Sequence, residues 1–259
     1  MLTDANRAAA GLDAWVVPDM AKSLSFDPKK LQRALEANYP SVGESDQIQW
    51  GKPQWVTGDN RALRYRGNNL KREKMWFQIK NPITSRSFLR YVYTGWQWRV
   101  LPATSSIDQA PELLPVVSEL NKWTAKQGDY PMPNHFIITR YRDGDHNIGA
   151  HYDKPDSIAP KSLIVVIKLG DVGRPFKLEW LDGTVIFDKV LPPGTGVVMT
   201  LEANLKTKHS VPVCETSGNS GSLVARTITD KHKVGWDEAA TRIAKADEAA
   251  NKLLGKRQR

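Results

Sequence analysis

From residue 133 onward the chain is written in short runs rich in β-branched residues. NHFIITRY, KSLIVVIKLG, RPFKLEW, TVIFDKV, GTGVVMTL and SLVARTIT follow one another, most of them separated by Gly, Pro or Asp. Runs of this length suit strands, and the separators favour turns. Six or more short strands in series argue for a sandwich, a jelly roll or a small barrel.

Helices flank this β-rich stretch. SFDPKKLQRALEANYP predicts a short helix capped by Asp27, with Pro28 at its first position and Leu31 and Leu35 on one face. APELLPVVSELNKWTAKQG predicts a second, with Leu113, Val116, Val117, Leu120 and Trp123 as its apolar stripe. Pro115 falls in its first turn, where a missing N–H does little harm, and Gly128 stops it. The last stretch, WDEAATRIAKADEAANKLLGKRQR, reads as a charged helix with a basic tail. No Pro/Gly/Ser-rich linker divides the 259 residues. The expectation is therefore one domain: helices and a basic, aromatic region over 1–130, a β-core over 131–235, and a terminal helix over 236–259.

Charge restricts the partners. The net charge is +9, and the excess is uneven. Arg61 to Arg99 carries ten basic residues against one acid, Glu73, with eight aromatics among them. Cations bind phosphates and flat rings stack unpaired bases, so this segment is a candidate nucleic-acid surface. Lys71, Arg72, Lys74 and Trp76 are its candidate contacts. The alternative is a twisted sheet with its aromatics in the core and a solvated basic face. Cys214 is the only cysteine, which excludes an intrachain disulfide and fits a reducing compartment. No apolar run has the length of a membrane span and the N-terminus lacks a secretory pattern, so the expected location is intracellular.

The stretch GAHYDKPD places His151 and Asp153 two residues apart. In extended backbone their side chains share one side. An H-x-D pair alone is a common coincidence. Here His209 follows in LKTKHSVP, across several predicted strands. Two histidines and a carboxylate form the facial triad of non-haem iron(II) sites, which leaves coordination positions open. A structural zinc site would want four ligands, usually with cysteine. Arg226 stands mid-strand in the otherwise uncharged GSLVARTIT. A buried guanidinium needs a partner, and no acid is adjacent in sequence, so a carboxylate ligand would serve.

These pieces together resemble the 2-oxoglutarate, iron(II)-dependent dioxygenases, and specifically their AlkB-like branch. The likeness runs from about Asn134 to Ile228. It is carried, in the family's order, by NHFIITRYRDGDHNIGAHYDKPDS, KLGDVGRPF, PGTGVVM, KHSVP and ARTIT. It implies a mainly β fold with flanking helices around a double-stranded β-helix (jelly-roll) core. It implies iron(II) on His151, Asp153 and His209, with 2-oxoglutarate and O2 as co-substrates. Arg226 would grip the distal carboxylate of 2-oxoglutarate and Tyr141 would donate its hydroxyl to it. Thr139 stands where the family has an asparagine at the co-substrate, and Asp156 falls where an acidic residue lies near the substrate. A second arginine that many AlkB-like enzymes carry six residues on is His232 here, which between two lysines reads as a surface histidine.

The implied reaction is hydroxylation of a C–H bond, and on an N-methyl group it ends in demethylation. Nucleic acid, DNA or RNA, is the expected substrate; a base in a duplex would have to leave the stack. The alternative is a 2-oxoglutarate-dependent hydroxylase of a protein or small molecule. A catalytically silent jelly-roll binding module is a third reading, made less attractive by an intact triad.

Overall fold

The computed structural model describes residues 11–43, 46, 48–49, 51–58, 71–79, 90–91, 104–215, 218–229 and 233–234. Most of the Arg61 to Arg99 segment, His232 and the expected helix over 236–259 lie outside these described residues. Fifteen strands are present among them. β1 (Ala14–Val17), β2 (Ser41–Val42), β3 (Trp55–Val56), β4 (Glu73–Gln78), β5 (Arg90–Tyr91) and β6 (Thr104–Ser106) come first. β7 (His135–Tyr141), β8 (Ile148–His151), β9 (Leu163–Gly170), β10 (Arg174–Trp180) and β11 (Val185–Leu191) follow. β12 (Gly196–Thr200), β13 (Thr207–Val211), β14 (Ser220–Arg226) and β15 (Lys233–Val234) complete the set.

Eight of these, β7 to β14, make the jelly roll. In the large sheet the order is β1-β12-β9-β14-β7-β4-β3-β2, with β6 on β4. In the small sheet it is β11-β10-β13-β8. Counted along the core, strands 6-3-8-1 face strands 5-4-7-2, so successive strands alternate between the sheets except at strands 4 and 5, which form a hairpin within the small one. β5 and β15 form a separate two-stranded ribbon.

Two apolar layers hold this together. One fills the space between the sheets: Ile137, Tyr141, Ile164, Val166, Phe176 and Leu178 are among its members. The other lies behind the large sheet, where helices cover it. β9 therefore buries all eight of its residues, which is why LIVVIKLG reads as an unbroken run. Each Leu, Ile or Val buried this way contributes roughly 1.5–3 kcal/mol relative to exposure.

The covering helices match the sequence expectations closely. α1 (Met20–Ser23) is short. α2 (Pro28–Asn38) starts at Pro28, and Asp27 accepts hydrogen bonds from the backbone N–H groups of Lys29 and Lys30 at 2.9 and 3.0 Å. Leu31 and Leu35 are buried. α3 (Leu114–Gln127) carries Pro115 in its first turn, buries Val116, Val117 and Leu120, and stops at Gly128, whose φ of 138° few other residues adopt. α4 (Leu201–Lys206), which the sequence pattern does not announce, joins β12 to β13. Among the described residues no helix is long and apolar enough to cross a membrane.

Candidate metal centre

β8 and β13 are antiparallel neighbours, and their register sets His209 directly opposite His151. The two imidazoles meet with ring centroids 4.4 Å apart at 51°. Asp153 lies two residues beyond His151, just past the end of β8. One ligand atom from each of His151, Asp153 and His209 lies within 4.8 Å of the others. The register of two strands thus brings together the three residues picked out in the sequence. Among the described residues no fourth His, Cys, Asp or Glu joins this cluster.

The surroundings hold each side chain in place. His151 Nδ1 lies 2.8 Å from the Gly149 carbonyl. Donation to that carbonyl assigns the proton to Nδ1 and leaves Nε2 with a free lone pair. Phe176 stacks against His209, 13° from parallel. Asn204, fully buried on α4, clamps the Asp153 backbone from both sides: it accepts from the Asp153 N–H and donates to the Asp153 carbonyl, both at 2.8 Å. Asn204 was not picked out in the sequence, because nothing in TLEANLK marks it as facing a ligand.

The protonation states suit a cation. Burial pushes His151 down to about 3, helped by His209 and opposed by Asp153. Burial lowers His209 as well, against the pull of Asp153. Burial would raise Asp153, but Arg226 and then the two histidines hold its carboxyl well below the usual carboxylate range. Two neutral imidazoles and one carboxylate are the states that metal ligation requires. Asp153 Oδ2 and His209 Nδ1 are buried without a hydrogen bond among the described residues, the carboxylate oxygen having only the Arg226 guanidinium beside it. The donor set and these orphaned atoms fit a divalent transition metal with open coordination positions.

Arg226, which has no acid adjacent in sequence, has one beside it in the fold. Its Nη1 lies 3.0 Å from Asp153 Oδ2, a close ion pair that is not aligned as a hydrogen bond. Its Nε faces His135 Nδ1 at 3.4 Å. Register shows why: Arg226 is the last residue of β14, level with His135 and next to the triad.

The inner face of the large sheet changes character row by row away from this end. Behind Arg226 comes an apolar row, Trp76, Ile137, Val224 and Val166, aligned across four strands. Behind that comes a polar row, Lys74, Thr139, Ser222 and Lys168. Tyr141 lies one step further, opposite Ser220. The Arg174 guanidinium carbon sits 4.9 Å from the Tyr141 ring centroid and Lys168 Nζ 5.9 Å from it. Thr139 and Tyr141 are thus inside the barrel, as co-substrate residues would be.

Two expected surface contacts face the barrel instead, Trp76 buried and Lys74 half-buried. Trp76 is 3% exposed and packs in the apolar layer between the sheets, so it is a wall of the barrel and not a lid. Lys74, two residues before it on the same face, feels Asp153, Arg72 and Arg226, and burial drives its ammonium well below the usual lysine range. The alternation of β4 decides both: Met75 and Phe77 take the helix-covered side, which leaves Lys74 and Trp76 to the barrel. Arg72 is half-buried and donates to the Asn147 carbonyl at 3.2 Å. Of the three cations, Lys71 is the exposed one. Asp156 is exposed in a short 3-10 turn just after the triad. The segment's one acid, Glu73, is buried against Arg140 and Arg142.

No family model and no curated protein matches the sequence. Among solved structures, an oxidoreductase of the 2OG-Fe(II) oxygenase family from Burkholderia pseudomallei is 14% identical, covering 88% of this chain and 90% of that one at a TM-score of 0.47. OsALKBH1 is 11% identical, covering 83% and 98% at 0.46. A Pseudomonas putida prolyl-4-hydroxylase is 13% identical, covering 85% and 96% at 0.45. At this distance the likeness transfers no activity, and the chemistry rests on the side chains themselves.

Proposed function

We propose that the chain is an iron(II)- and 2-oxoglutarate-dependent dioxygenase. The observation that carries this reading is the cluster of His151, Asp153 and His209, three ligands without a fourth among the described residues, at one end of a barrel lined with cations. When bound, iron(II) with 2-oxoglutarate and O2 supplies hydroxylation of a C–H bond, the co-substrate leaving as succinate and CO2. The chain's own residues do the rest. Gly149 orients His151, Asn204 holds Asp153, and Phe176 backs His209. Arg226 keeps Asp153 ionised. The apolar row of Trp76, Ile137, Val224 and Val166 lines the barrel behind the triad.

For the prime substrate we propose a methylated base in nucleic acid. The support is the net charge of +9 and its concentration between Arg61 and Arg99, with Lys71 exposed. Hydroxylation of an N-methyl group gives a hemiaminal, which breaks to formaldehyde and the demethylated base. The test is succinate and formaldehyde release with iron(II) and 2-oxoglutarate across methylated DNA, methylated RNA, peptides and no substrate. Stimulation by a methylated polynucleotide, with affinity that falls steeply with salt, is the expected result. Stimulation by peptides alone would move the substrate to the protein class.

A further inference from the structure

The inner face of the large sheet holds a buried cation that the metal site does not use. Lys168 is 1% exposed, and its Nζ has no hydrogen-bond partner among the described residues. Burying an ammonium group is costly unless something pairs with it. Two of the other cations nearby are already engaged, and a third, Lys74 in the same row, lies toward the metal end, where it feels Asp153. Arg226 is paired with Asp153. Arg174 donates to the carbonyls of Asp143, Gly144 and His146. The one acidic group acting on Lys168 is the thiol of Cys214. Burial and Arg174 push Lys168 down to about 7, so without an anion its charge is barely held.

Resting on the reading of the triad above, we infer that Lys168, with the hydroxyls of Tyr141 and Ser222, binds the distal carboxylate of 2-oxoglutarate, the role that the family resemblance implied for Arg226. Ser222 pairs with Lys168 across β14 and β9, and it is within hydrogen-bonding reach of the Tyr141 hydroxyl. Tyr141 and Arg226, by contrast, stand six residues apart along the ladder, since Tyr141 is level with Ser220. At ~3.3 Å per residue that is about 20 Å of strand, too far for the two to grip one carboxylate. The inner face also matches the ligand's pattern. A 2-oxo acid group, two methylenes and a carboxylate meet, in order, the metal-end row, the apolar row and the polar row. The rows of Arg226 and Ser222 are four residues apart, about 13 Å of strand, which the co-substrate spans together with the side chains at its two ends.

The test is calorimetric binding to the manganese(II)-loaded protein of three ligands: 2-oxoglutarate, 2-oxobutyrate, which lacks the distal carboxylate, and glutarate, which lacks the oxo group. The parent should bind 2-oxoglutarate more tightly than 2-oxobutyrate by roughly 10- to 100-fold, the range for hydrogen bonds to a charged group. Lys168→Met should erase that difference, weakening 2-oxoglutarate and glutarate while leaving 2-oxobutyrate unchanged. Arg226→Met, held at manganese concentrations that load it fully, should keep it. 2-Oxoglutarate should raise the melting temperature of the metal-loaded parent and not that of Lys168→Met or of a second variant, Lys168→Gln. Full discrimination in both Lys168 variants, or its loss in Arg226→Met alone, overturns the assignment and leaves the dioxygenase reading standing. A parent that binds manganese but not 2-oxoglutarate overturns both.

Discussion

Arg226 and Asp153 face each other across 3.0 Å, the guanidinium at the end of one sheet and the carboxylate just past a strand of the other. The pair joins the two sheets at the metal end and is the largest influence holding Asp153 ionised against burial. Arg226→Met should therefore act through the metal. An outer partner of a ligating carboxylate is worth roughly 10- to 100-fold in metal affinity. Manganese titration of parent and variant checks this; equal affinities would show that Asp153 needs no counter-charge.

Asn204→Ala removes both hydrogen bonds that fix the Asp153 backbone. Two buried backbone groups are then left without partners, at about 1–3 kcal/mol each at most. The expected outcome is a lower melting temperature and weaker metal binding together. Asn204→Asp can still accept from the Asp153 N–H but cannot donate to its carbonyl, and should fall between. A variant whose metal affinity matches the parent would reduce Asn204 to a packing residue.

Glu73 ties β4 to β7: Arg140 Nε approaches it at 2.5 Å and Arg142 at 2.8 Å. Burial raises its carboxyl, and hydrogen bonds from Arg140 and Arg142 more than reverse this, so it lies below the ordinary 4.5. A depressed folded pKa stabilises at pH above the unfolded value, and that stability is lost as pH falls through the folded one. Glu73→Ala also strands the buried Arg140 charge, and at neutral pH should cost about 3–5 kcal/mol. Urea denaturation at pH 7 should show that gap. Repeated well below pH 4.5, it should narrow as the parent's own carboxyl protonates.

Much of this architecture is legible in the residues, and the exceptions have physical reasons. β7, β9, β10, β11, β12 and β14 coincide with apolar runs because their inward and outward positions are largely apolar or simply alternating. β8 and β13 escape notice because their inward positions are His151 and His209 themselves: where the site needs ligands, the apolar pattern is interrupted. The triad was still readable, since H-x-D and a later histidine are chemistry and not periodicity. Lys168 was hidden inside LIVVIKLG, where one cation looks like a solvated position until strands and helices are known to cover both faces of β9. Lys74 and Trp76 were offered as surface contacts, with aromatics in the core as the alternative, for the same reason: KREKMWF does not say that β4 is covered on both sides.

The central claim is that His151, Asp153 and His209 hold iron(II) for the oxidation of 2-oxoglutarate. It is tested most directly by measuring succinate formed from 2-oxoglutarate by the iron(II)-loaded chain in air, beside its His209→Ala variant, with and without methylated polynucleotide. The account predicts iron-dependent succinate from the parent and none above background from His209→Ala, with superimposable circular dichroism spectra showing an intact fold. Equal succinate from the two proteins, or an iron-loaded parent that forms none under any of these conditions, would contradict it.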